Sequence, residues 1–151
     1  VATKHHERSQ AMQPETPPEK PTKAQIPPGI QLLNVTAADK WQHTKLKVKA
    51  TDVVAVLYES GKWSACPGHE HDASGFGGRT ADSWVLPTAR YGGLCAKVGD
   101  DGEPVFVGNA SFFIAGRDGE VMLIINDDYP GKYGPGFADN YGAVAVWVWR
   151  R

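Results

Sequence analysis

The densest oxygen chemistry in this chain sits in two short stretches near its C-terminal end. Asn126-Asp127-Asp128 closes an apolar run, and Asp139-Asn140 opens the next one. If the two runs are antiparallel strands, the chain reversal between them returns both groups to one edge. Their carboxylate and amide oxygens then converge. Such a set suits Ca²⁺, a hard cation that takes six to eight oxygens from carboxylates, amides and backbone carbonyls. Asp128 offers a further carboxylate, and Gly131, Gly134 and Gly136 allow backbone carbonyls to turn inward. The same residues support a second reading. Asp and Asn side chains bond nearby backbone amides, so the set can also pin a metal-free hairpin.

Around these oxygens stand four aromatics, Tyr129, Tyr133, Phe137 and Tyr141. Aromatic faces stack on sugar C–H surfaces and Tyr hydroxyls add hydrogen bonds; the same side chains serve protein interfaces or loop packing. A second cluster, Cys66-Pro-Gly-His69-Glu-His71-Asp72, offers Cys66, His69 and His71 to Zn²⁺ or Cu²⁺, although the usual zinc spacings are absent. Cys66 and Cys95 are the two cysteines. A bridge would close a loop of about 30 residues and fit an extracytoplasmic setting; two buried free thiols are the alternative. No Gly-x-Ser-x-Gly elbow, phosphate loop or His-Glu-x-x-His motif occurs, so the expectation is a protein that is not an enzyme.

The elements that must position these groups read as all-β. Of 151 residues, 41% are hydrophobic and 22% charged, and the formal net charge is −1, which gives no electrostatic reason to expect nucleic acid or an anionic membrane as partner. No apolar run approaches the roughly 20 residues of a membrane span. The chain begins at Val1 with no apolar leader, which fits a trimmed product whose signal peptide would leave no trace. Residues 1–30 hold six of the eleven prolines and no aromatic, and predict an extended Pro-rich arm or linker. Residues 31–151 hold all fifteen aromatics and sixteen of seventeen glycines, with short apolar runs between turn signals.

Strands are expected over 31–35, 44–48, 53–58, 83–86, 94–98, 105–107, 111–115 and 120–126, with a final one alternating Val144, Val146 and Val148 against Ala145, Trp147 and Trp149. A turn is expected at Ser60-Gly61-Lys62, and a glycine-rich loop from 66 to 80. About eight strands over such a length predict a jelly-roll-like β-sandwich. Apolar residues on both faces of the last strand fit either a strand covered on each side or a partner contact at Trp147 and Trp149.

The order of these pieces resembles the galactose-specific, calcium-dependent bacterial lectins and the related galactose-binding-like sandwich modules. Four stretches carry the resemblance: Trp41-Gln-His-Thr44 with 53–61 and Trp63; Gly93-Leu-Cys-Ala-Lys-Val-Gly99; Val105-Phe-Val-Gly108; and Gly119-Glu-Val-Met-Leu-Ile-Ile-Asn-Asp127 with Asp139-Asn-Tyr-Gly142 and the last strand. They cover about residues 35–149. The resemblance implies a calcium ion held by Asp127, Asp139 and Asn140, with Asn126 in support, whose coordination sugar hydroxyls complete. Tyr129, Tyr133 and Tyr141 would line the sugar site. The sequence also departs from the lectins. The segment 129–137 is bulky, the place of a calcium-facing tyrosine falls near Cys66, and the sugar-contacting His-Pro-x-Gln stretch is not reproduced; His71 with Asp72 is its nearest match. The expected function is a non-catalytic carbohydrate-binding module of a secreted or periplasmic protein. The alternative is an accessory subunit of an extracytoplasmic complex, docked on a protein partner through its N-terminal arm.

Overall fold

The computed structural model describes residues 29–151; the expected arm over 1–30 lies almost wholly outside them. Among the described residues eight strands form two four-stranded antiparallel sheets. They are β1 (Gln31–Thr36), β2 (Gln42–Val48), β3 (Val53–Ser64), β4 (Leu94–Val98), β5 (Val105–Phe106), β6 (Ala110–Ile114), β7 (Gly119–Ile125) and β8 (Tyr141–Arg150). One sheet runs β1-β8-β3-β6 and the other β2-β7-β4-β5. The expected β-sandwich is the observed one.

Period-two patterning explains how the sheets face each other. In the second sheet Leu94 pairs with Ile125, Ala96 with Leu123 and Val98 with Val121, and all six are buried. In the first, Val144, Val146 and Val148 of β8 are fully buried beside Val35, Val54 and Val56. The opposite face of that sheet is also apolar. Leu32, Trp147 and Leu57 form one row across it, and Trp149, Ala55 and Phe112 the next. Phe112 and Ile114 on the edge strand β6 are 63% and 69% exposed. Of the two readings of the last strand, covered on each side or a partner contact, Trp147 fits the covered one. It is buried, and its Nε1 donates to Glu59 Oε2 at 2.7 Å.

The turn expected at Ser60-Gly61-Lys62 is absent, because β3 runs straight through it. The register slips by one residue between Tyr58 and Ser60. That bulge flips the parity of the strand, so that Trp63 points inward with Val54 and Val56 and is fully buried. Gly61, at φ +96°, is part of this device: a Cβ there would lie 2.5 Å from Ala143 O. The strand expected over 83–86 is reduced to an isolated bridge between Trp84 and Asp128. A 3₁₀ turn, Gly136–Asp139, leads into β8.

Candidate functional site

At the end of β7 the chain places three polar residues in succession, and the fold uses each differently. Asn126 is spent on scaffolding. Its Oδ1 accepts from Leu86 N at 2.9 Å, and its Nδ2 donates to Leu86 O at 3.0 Å and Arg90 O at 3.1 Å. This grip holds the long connection between β3 and β4 against the sheet end and occupies the oxygen that a supporting metal ligand would need. Asp128 anchors the following loop, with Oδ2 accepting from Tyr133 N at 2.8 Å. Asp127 faces a cleft. Its Oδ1 accepts from Asp128 N at 2.7 Å, while its buried Oδ2 has no hydrogen-bond partner.

The cleft has a volume of about 160 Å³. Trp84, Tyr91 and Tyr133 form its aromatic walls, with Asp127 and Asp139 among its acids and Cys66 at its margin. The Trp84 ring lies 5.4 Å from that of Tyr91 and 6.2 Å from that of Tyr133. Val85 N donates to Asp127 O and Tyr129 N to Ser83 O, so the wall bearing Trp84 runs along the extension of β7. Asp82 joins this wall to the facing loop, receiving Tyr133 Oη on one oxygen and Lys132 Nζ on the other, each at 3.0 Å.

The cleft holds a carboxylate whose charged form burial disfavours. Asp127 is 1% exposed. Burial, with a further contribution from the charge of Asp139, pushes its pKa up to about 6 against the opposing help of Asp128 N–H, Asn140 and Tyr91. Burial likewise raises the Tyr91 hydroxyl, which donates to Ala65 O at 3.1 Å. Asn140 donates through Nδ2 to Ala37 O at 3.0 Å, and its Oδ1, like Asp139 Oδ1, lacks a partner.

The structure thus places Asp127 and Asp139 in the cleft with Tyr133, and Asn140 beside Asp127 outside the cleft lining. Tyr129 stands on a neighbouring surface with Phe137, under Lys40 Nζ at 4.3 Å from its ring centroid. Tyr141 is exposed at the start of β8 opposite Ser64. His71 and Asp72 are built into the β3–β4 connection. His71 exchanges backbone hydrogen bonds with Trp63, and burial keeps its imidazole below its ordinary pKa. Asp72 accepts from Ser74 and from Asn109 Nδ2. Trp84 and Tyr91 were not singled out by residue type or spacing. Their one signal is that they are aromatics inside an otherwise small, polar and glycine-rich connection.

Of the two alternatives for Cys66 and Cys95, the bridge is not formed and both thiols are free. Cys95 lies opposite Phe106 and Ile124 and is fully buried, and burial pushes its thiol up to about 12. Cys66 instead borders the cleft. Nor do Cys66, His69 and His71 assemble for a transition metal. Among the described residues no three His, Cys, Asp or Glu side chains form a metal-ligating group, and His69 stacks on Phe76 at 5.1 Å.

No protein-family model matches the chain, and neither does any curated protein. Among solved structures the chain is similar to an EclA N-terminal domain described as a PllA-like lectin, with a TM-score of 0.57 and 22% identity over 80% of this chain and 95% of that one. The fold is lectin-like. Among the described residues no helix is long and apolar enough to cross a membrane.

Proposed function

We propose that the protein is a non-catalytic carbohydrate-binding module whose site is the cleft between Trp84, Tyr91, Tyr133, Asp127 and Asp139. The observation that carries this reading is the union of aromatic walls with unpartnered buried acceptors at one end of a lectin-like sandwich. Such acceptors cost free energy unless something bonds them, and a polyol offers many donors. The cleft is the size of one sugar ring rather than of an extended chain. The lectin described as PllA-like supports the coarse reading; the sugar and its setting, secreted or periplasmic, belong to the proposal.

Calcium is the cofactor proposed for this site, and the donors present fit it in kind. Asp127 Oδ2, Asp139 Oδ1 and Asn140 Oδ1 are hard oxygens without hydrogen-bond partners. Asp128 also lines the cleft, but no three acids there form a metal-ligating group among the described residues, so a bound ion would also draw on backbone carbonyls, water and sugar hydroxyls. When bound, it would neutralise the two acids and polarise those hydroxyls. Asp127 and Asp139 would hold the ion, while Trp84 and Tyr133 orient the ring. Calorimetric titration with galactosides and polysaccharides, in Ca²⁺ and in chelator, tests the proposal. Heat from a neutral galactoside that disappears with chelator is expected. Silence from every glycan in both media removes the reading.

A second reading, an accessory subunit bound to a protein partner, draws on the apolar outer face of the β1-β8-β3-β6 sheet, where Leu32, Leu57, Phe112 and Ile114 are exposed. Co-purification from native extract with and without residues 1–30 tests it. A partner retained after the deletion argues against the arm as its strap.

A further inference from the structure

The same cleft can answer its uncompensated charge with a cation carried by the ligand. We infer that, in the absence of calcium, it binds sugars bearing a protonated primary amine, the ammonium taking the place beside Asp127 and Asp139 that the metal would otherwise fill. This rests on the carbohydrate reading above and names a ligand class for it.

The argument is one of matching donors to acceptors. Asp127 Oδ2 and Asp139 Oδ1 are buried acceptors of the cleft without a partner, Asn140 beside Asp127 leaves its own Oδ1 unbonded, and a primary ammonium is a point charge with three N–H donors and no acceptor. Asp127 is almost fully removed from water yet lines the cleft, and with Asn140 and Tyr91 nearby its Oδ2 still lacks a hydrogen bond of good geometry, which leaves that oxygen open to a donor from a ligand. Asp139 adds a second negative charge beside it. Trp84, Tyr91 and Tyr133 line the same cleft, Tyr133 with Lys132 Nζ already 5.1 Å from its ring centroid, and aromatic faces attract cations. Trp84 Nε1 is a buried donor with no partner, which a sugar hydroxyl can satisfy and a bare alkylammonium cannot. An N-acetylated amine loses the charge and brings a bulky acyl group into a cleft of about 160 Å³.

Calorimetry on the full chain tests the inference. The probes are galactosamine, glucosamine, their N-acetyl forms and galactose, each titrated in chelator and again in millimolar Ca²⁺. In chelator the amino sugars bind and the N-acetyl and neutral sugars bind at least about tenfold more weakly. Added Ca²⁺ competes, so the amino-sugar affinity falls as calcium rises. Asp127→Asn, folded by circular dichroism, loses the amine preference, and the ligand comparison stands without it should that variant fail to fold. Amino sugars no better than galactose in chelator, or strengthened by Ca²⁺, overturn the inference. Galactose binding that needs Ca²⁺, with no amine preference, leaves the carbohydrate reading intact while removing this one; no heat from any sugar in either medium removes both.

Discussion

Asn126 grips Leu86 at two points, accepting from its N–H at 2.9 Å and donating to its carbonyl at 3.0 Å across forty residues of chain. One side chain thereby mimics a strand partner and docks the aromatic wall of the cleft on the end of β7. Asn126 is fully buried, so its removal strands backbone groups that water cannot reach.

Asn126→Ala is therefore expected to cost roughly 2–4 kcal/mol, read as a lower urea midpoint at an unchanged slope. Fluorescence from Trp84 should shift as the wall loosens. A variant as stable as the parent would show that the grip is not needed.

Removing charge from the cleft has the opposite effect on the unliganded fold. Asp127→Asn discards a carboxylate that burial disfavours, so the free protein at neutral pH should melt at the same or a higher temperature while sugar and cation binding are lost. A lower melting temperature with binding intact would contradict this assignment.

The pH dependence follows from the same group. Its pKa in the fold is about 6, above the ordinary 3.8. Between these values the folded chain keeps a proton that the unfolded chain has released. Stability of the free protein should therefore fall as pH rises from about 4 to 6, by roughly 1–3 kcal/mol at most, and level off above. Cation binding needs the ionised form and runs the other way, weakening as pH drops through 6. Thermal melts and titrations at pH 4.5, 6 and 7.5 check both slopes.

Trp84→Ala should leave the sandwich folded, since the residue lies in the β3–β4 connection outside the core cluster. Sugar affinity should drop at least about tenfold. Unchanged affinity would place the sugar elsewhere.

Gly142 sits at φ +86°, and a Cβ would come within 2.5 Å of Lys62 O and 2.9 Å of Trp63 Cα. Gly142→Ala should therefore cost roughly 2–3 kcal/mol, seen in chemical denaturation.

The sandwich was legible where strands alternate and stop at turns: Val144, Val146 and Val148 declare their buried face directly. The acid and amide oxygens of Asp127, Asp139 and Asn140 were legible for a similar reason, since an antiparallel return must bring strand ends together. What escaped depended on register and on long connections. Ser60-Gly61-Lys62 has turn chemistry but forms a bulge, because the partner strand β8 and the burial of Trp63 outweigh local preference. The partition of Asn126 from Asp127, the role of Trp84 and the separation of the two thiols all depend on how residues 65–93 fold back. No periodicity encodes that path.

That path divides labour within the molecule. The layers are regular sheet, while the proposed binding surface is largely contributed by an irregular segment fastened through the Asn126 amide, backbone bonds along the extension of β7 and the side chain of Asp82. Sequence drift in residues 79–91 can then retune what is recognised without disturbing the layers beneath, much as interchangeable tips serve a common handle.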